Sequence, residues 1–128
     1  LPAKDADYVG IIANDINTWD PAHIEVDAGT TVTWHIPLEE EGNINRFTHD
    51  VLMTDELGNI VGRSEYLEPF EGRNEYVYTF DEPGLYYYTC VFHGWSGGCS
   101  GEFELIGEGQ IEPGPYPCHS GSVNVVED

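Results

Sequence analysis

The chain has 128 residues, with 24 acidic side chains against 4 basic ones and a formal charge of −20. That length suits one domain with its own core. The charge repels phosphate backbones and anionic bilayers, which argues against nucleic-acid binding and membrane docking. No apolar run approaches the length needed to span a bilayer, so direct membrane insertion is not expected. Acidic chains are often disordered, but eight Tyr, five Phe and three Trp call for a packed interior. The acidic residues then lie on a folded surface. Salt screens their mutual repulsion, which suits a saline habitat such as that of a halophile or a marine archaeon. The chain opens abruptly on Leu1-Pro2-Ala3. This suits a processed protein or a trimmed sequence; an extracytoplasmic location is expected, with the signal or anchor segment outside this sequence.

Period-two alternation dominates. His23-Ile24-Glu25-Val26-Asp27 reads as a strand that ends at the turn Ala28-Gly29. Thr31 to Ile36 alternates next, with Val32, Trp34 and Ile36 on one face and His35 opposite. Pro37 to Arg46 is acidic and carries Gly and Asn, which reads as a loop delivering Phe47-Thr48-His49. Thr54 to Gly72 mixes polar, Gly and Pro residues, the composition of loops or one short helix. Glu75 to Phe80 alternates again, with Tyr76, Tyr78 and Phe80 together, and Asp81-Glu82-Pro83-Gly84 makes a turn. Tyr86, Tyr88 and Cys90 share the following face. Phe103 and Leu105 close the series. Many short strands between Gly, Pro and Asp clusters predict an all-β, antiparallel sandwich. Residues 1–106 form the domain in this reading. Residues 107–128, ending in the alternation Val123-Asn124-Val125-Val126, form an extension packed on it.

Chemistry concentrates in Thr89-Cys90-Val91-Phe92-His93, together with Phe47-Thr48-His49-Asp50. One thiolate and two imidazoles suit a copper ion that shuttles between Cu(II) and Cu(I). Taken singly, each residue has a plainer reading. A cysteine at a strand end is usually a small buried hydrophobe, and a histidine in an acidic chain is usually solvated or ion-paired. Zinc accepts the same donors. The cysteines number three, Cys90, Cys99 and Cys118, so at least one is unpaired. If Cys90 binds metal, Cys99 and Cys118 remain as a pair, which implies an oxidising compartment.

The ordered set of these segments resembles the cupredoxin family, which includes plastocyanin, pseudoazurin and halocyanin. The matching pieces are Trp19-Asp20-Pro21 with Ile24-x-Val26-x-x-Gly29-Thr30-Thr31-Val32-Thr33-Trp34, then Phe47-Thr48-His49-Asp50-Val51. Tyr78-x-Phe80-x-x-Pro83-Gly84-x-Tyr86-x-Tyr88-x-Cys90-x-x-His93 and Gly101-x-Phe103-x-Leu105 complete it. The resemblance implies a Greek-key β-sandwich or barrel. It also implies one type 1 copper ion bound by His49, Cys90 and His93, and electron exchange with a redox partner protein docking near His93. Phe92 and Trp95 form an apolar collar there, or simply pack over the metal end. Asp50, directly after His49, either locks the ligand loop by accepting backbone N–H bonds or is an exposed strand-end residue.

The fourth, axial position departs from the family, which usually places Met there. Cys99 stands where that Met would be, and the one Met of the chain, Met53, lies on another segment. Three arrangements stay open. A Cys99–Cys118 disulfide leaves the axial side open or water-filled; Cys99 itself approaches the copper; or another donor does, such as a backbone carbonyl or His119. An electron carrier is the leading expectation, with a potential below that of a Met-ligated relative. The alternative is a small-molecule redox enzyme that binds nitric oxide or another nitrogen oxide at an open axial position. Copper storage is a third class, disfavoured by a thiolate on a rigid strand.

Overall fold

In the computed structural model the described residues are 8–13, 19–20, 22–38, 50–89, 107–111, 114 and 120–127. They form nine strands: β1 (Tyr8–Ala13), β2 (Trp19–Asp20), β3 (His23–Asp27), β4 (Thr30–His35), β5 (Leu52–Thr54), β6 (Ile60–Arg63), β7 (Glu75–Phe80), β8 (Gly84–Thr89) and β9 (Ser120–Val126). One sheet has the order β2-β1-β4-β7 and the other β3-β9-β8-β5-β6. The chain crosses between the sheets repeatedly, so strands distant in sequence become neighbours.

The alternation read from the sequence matches the observed faces in β4, where Val32, Trp34 and the following Ile36 are buried. It matches β7 as well, where Glu75, Val77 and Thr79 are exposed and Phe80 is buried. The ladders differ from a purely antiparallel expectation. β1 runs parallel to β4, with Tyr8 opposite Thr31 and Ile12 opposite His35. β3 runs parallel to β9, from His23 opposite Ser122 to Asp27 opposite Val126. Both parallel pairs join strands separated by a crossover to the other sheet, which a tight hairpin cannot do.

Three further differences matter. β1 has no period-two signature, because Gly10 interrupts its run and Ile11-Ile12-Ala13 is continuously apolar. The stretch expected to hold loops or a short helix holds a hairpin instead: β5 pairs with β6, with a register shift between Met53 and Thr54. Such short, irregular strands show too few alternations to be recognised by period. Finally, Ser120–Val126 is an inner strand between β3 and β8, where an extension packed on the domain was expected. The expected strand around Phe103 and Leu105 lies outside the described residues.

The core sits between the sheets. Trp34, fully buried on β4, packs edge-on against Tyr88 of β8, with ring centroids 5.2 Å apart. Tyr76 and Phe80 flank the same indole at 5.6 and 6.4 Å. Such aromatic pairs add to the stabilisation from burial alone. Tyr88 also carries a polar requirement, because a buried hydroxyl needs a partner. It donates to the Ala22 carbonyl at 2.8 Å, and burial pushes its pKa up. The phenol reaches that carbonyl because its cross-strand partner is Gly121. A Cβ there would run into the Ala22 carbonyl oxygen and the Tyr88 hydroxyl.

A smaller cluster covers the outer face of the five-stranded sheet. Leu52 and Ile111 are buried there, with Ile60 and Tyr87 beside them. The Ile111 N–H donates to Gly58 at 2.9 Å, and the Ile60 N–H to Gly109 at 2.8 Å. The chain between β8 and β9 is thereby pinned to the β5–β6 turn.

Candidate metal centre

Strand direction decides which residues share an end of the sandwich. β8 climbs from Gly84 to Thr89, where it meets Leu52 of β5 on one side and Ser120 of β9 on the other. β4 ends and β7 begins at this same end, joined by Ile36 N–H to Asn74 O at 2.8 Å and Asn74 Nδ2 to Ile36 O at 3.0 Å. Three described positions thus converge: Thr89, the Asp50-Val51-Leu52 entry to β5, and Ser120. In the chain, Cys90 directly follows Thr89, His49 directly precedes Asp50, and His119 directly precedes Ser120.

Of the expected site residues, Asp50 is described. His49, Cys90, His93, Phe92, Trp95, Cys99, Cys118 and His119 lie outside the described residues. Among the described residues no group of three His, Cys, Asp or Glu side chains is placed to hold a metal ion. The two described histidines are not part of this end's chemistry. His23 Nδ1 is 2.8 Å from Ser122 Oγ, and His35 Nδ1 is 3.0 Å from Glu75 Oε2. Both suit the surface role read from the sequence. Met53 is fully buried in the main core.

Asp50 is not an exposed strand-end residue: it is 1% exposed. Its Oδ2 lies 3.6 Å from Nη2 of Arg63, on the neighbouring strand. Arg63 was not singled out in the sequence. Its only signal there is scarcity, as one of four basic residues.

A family model described as copper binding proteins, plastocyanin/azurin family, matches residues 8–103. The chain belongs to this family. As a cupredoxin it binds a single copper ion that cycles between Cu(II) and Cu(I), and its class of function is electron transfer. Solved cupredoxins share the fold. A purple cupredoxin from Nitrosopumilus maritimus is 22% identical, with a TM-score of 0.60 over 92% of this chain and 99% of that one. Oxidised plastocyanin from Dryopteris crassirhizoma is 14% identical, with a TM-score of 0.57 over 91% and 99%. A single-site mutant of amicyanin in its Cu(I) form is 17% identical, with a TM-score of 0.58 over 95% and 85%. No curated protein matches the chain. The family match stops at residue 103, whereas β9 begins at Ser120. Of the two strands beside β8, β9 therefore lies beyond the part of this cupredoxin that the family model recognises, and β5 lies within it.

The donor set fits the ion. A thiolate and imidazoles, the donors expected from the sequence, are the soft and borderline ligands that copper selects; in the chain Cys90 directly follows β8 and His49 directly precedes the Asp50-Val51-Leu52 entry to β5.

Proposed function

We propose that this cupredoxin is a single-electron carrier whose copper is held by His49, Cys90 and His93, with His119 as a fourth donor. The observation that carries the reading is the register at the end of β8, where Thr89 is opposite both Leu52 and Ser120. Consecutive Cα atoms are about 3.8 Å apart and directly opposed ones about 4.5–5.5 Å, so the Cα atoms of Cys90 and His119 are within about 13 Å. Parity points the same way. Tyr88 on β8, Val51 and Met53 at β5, and Val123 and Val125 on β9 all belong to the main core cluster. In the sequence Cys90 is two residues from Tyr88, His49 two from Val51 and His119 four from Val123, the spacing at which side chains of a strand share a face. His93 joins from the loop after Cys90.

Cys99 stands in the Met place only if the strand after it closes the sheet, and among the described residues the strands beside β8 are β5 and β9, the latter directly after Cys118-His119 in the chain. Cys118 has the opposite parity in the sequence. A Cys99–Cys118 disulfide is compatible with His119 reaching the copper, and with an extracytoplasmic, oxidising location.

Copper supplies the one-electron couple; the chain supplies geometry. Strands fixed by the Trp34–Tyr88 core hold the donors in one arrangement for both oxidation states, so little reorganises when an electron moves. The ring edge of His93, among Phe92 and Trp95, is the exit to a redox partner protein. An imidazole in the fourth position and a surface of charge −20 both favour Cu(II), so the potential lies below that of a Met-ligated relative.

Visible absorption of the copper-loaded protein tests the site. Cys90→Ser abolishes the thiolate-to-copper charge-transfer band. His119→Ala shifts that band and makes it sensitive to azide, while Cys99→Ala leaves it in place. A parent spectrum that already responds to azide would favour an open axial position and small-molecule chemistry instead.

A further inference from the structure

Arg63 sits on the edge strand β6, opposite Leu52, and reaches the carboxylate that follows His49. The two partners are unlike. The Asp50 side chain is 1% exposed and that of Arg63 is 54% exposed. A carboxylate this buried is costly unless a cation and hydrogen bonds compensate it, all the more in a chain with 24 acidic residues. The next residue, Ser64, grips the same stretch. Its Oγ accepts from the Val51 N–H at 2.8 Å, its own N–H donates to Val51 O at 2.8 Å, and its hydroxyl donates to Glu65 O at 2.7 Å. Residues 50 and 51 are therefore held by consecutive residues of β6 and its exit, one by charge and one by backbone hydrogen bonds.

We propose that Arg63, with Ser64, is a positioning clamp for the copper site: it neutralises the buried Asp50 charge beside His49 and so sets the copper potential higher than an unpaired carboxylate would. The inference rests on the His49 reading above. Reduction of Cu(II) adds an electron, so an uncompensated negative charge close to the ion opposes it. Screening is weak because Asp50 is shielded from solvent. Arg73, the other cation among the described residues, lines the same surface cleft but does not do this. It pairs at 3.5 Å with Glu68, and the two side chains are 69% and 32% exposed.

Spectroelectrochemical titration of the copper-loaded chain tests the clamp. Arg63→Gln shifts the Cu(II)/Cu(I) equilibrium toward Cu(II) by about five- to tenfold, tenfold being about 59 mV for one electron. Arg73→Gln, with the same change in net charge, shifts it by less than about twofold, as expected for a solvent-screened group. Arg63→Lys restores most of the parent value. In an Asp50→Asn background, Arg63→Gln adds no more than Arg73→Gln does. Equal shifts from the two arginines, or an Arg63→Gln protein that loses thermal stability but keeps its potential, overturn the proposal. Should Arg63→Gln not load copper, Asp50→Asn alone decides: a shift toward Cu(I) supports the clamp and an unchanged potential refutes it. Failure of the His49 reading shows separately, as a His49→Ala protein that keeps the parent's visible spectrum.

Discussion

The two ends of the sandwich are built on different principles. At one end the strands are joined by tight turns whose polar groups are satisfied locally. Gly29 adopts a φ of 94° and donates to Phe80 O at 2.6 Å, next to Ala28 donating to Val126 O at 2.8 Å. Asp55 closes the β5–β6 turn, with Oδ1 accepting from the N–H groups of Leu57 at 2.9 Å and Asn59 at 3.0 Å. At the other end the long connections leave and return: after Ile36, between Arg63 and Glu75, and after Thr89. In the chain, His49 directly precedes Asp50 and Cys90 directly follows Thr89, two described residues of that end. A stiff, locally satisfied base and a chemically loaded rim suit a metal site that must change charge without changing shape. The connection between β8 and β9 joins the two, since Gln110 Nε2 reaches Leu57 O at 2.8 Å.

The largest effect expected from breaking this contrast is at the rim. Cys90→Ser removes the thiolate and with it the whole charge-transfer absorption, measured on the copper-loaded protein before and after reduction. Gly121→Ala tests the link between rim and core. Its new methyl group meets the Ala22 backbone, and overpacking of this kind costs about 1–3 kcal/mol or more. Urea denaturation of the apoprotein reads the loss. Tyr88→Phe is milder, about 1 kcal/mol, because the Ala22 carbonyl keeps the Ser122 N–H at 2.9 Å.

The smallest effect belongs to the base. Burial works to raise the pKa of Asp55, but hydrogen bonds from Asn59, Leu57 and Gly58 outweigh it, and the net shift is downward. A depressed carboxylate stabilises the fold above its unfolded pKa of about 3.9 and loses that contribution as pH falls through the folded value. Asp55→Ala therefore costs on the order of 1 kcal/mol or less at neutral pH. The variant and parent converge in denaturation midpoint as the pH falls below the usual carboxylate range. The visible spectrum stays that of the parent. A changed spectrum would show that the two ends are coupled through the Gly107–Ile111 contact.

Much of this molecule was legible in its sequence. Alternation in β3, β4, β7 and β8 and the turns at Gly29 and Pro83-Gly84 are local properties, set by the period of a strand and the chemistry of a few adjacent residues. The cupredoxin family was likewise readable, because the order of its segments, from Trp19-Asp20-Pro21 through Phe47-Thr48-His49 to Cys90-x-x-His93, is a property of the sequence itself. Pairing is a different kind of information. That β9 flanks β8 on the side away from β5, and that Arg63 meets Asp50 across β5 and β6, depend on contacts between residues far apart in the chain. No local pattern encodes them. Tertiary packing decides which strands flank β8 and which charge meets Asp50, because a sheet's neighbours are chosen by the burial of whole faces and not by the residues next along the chain.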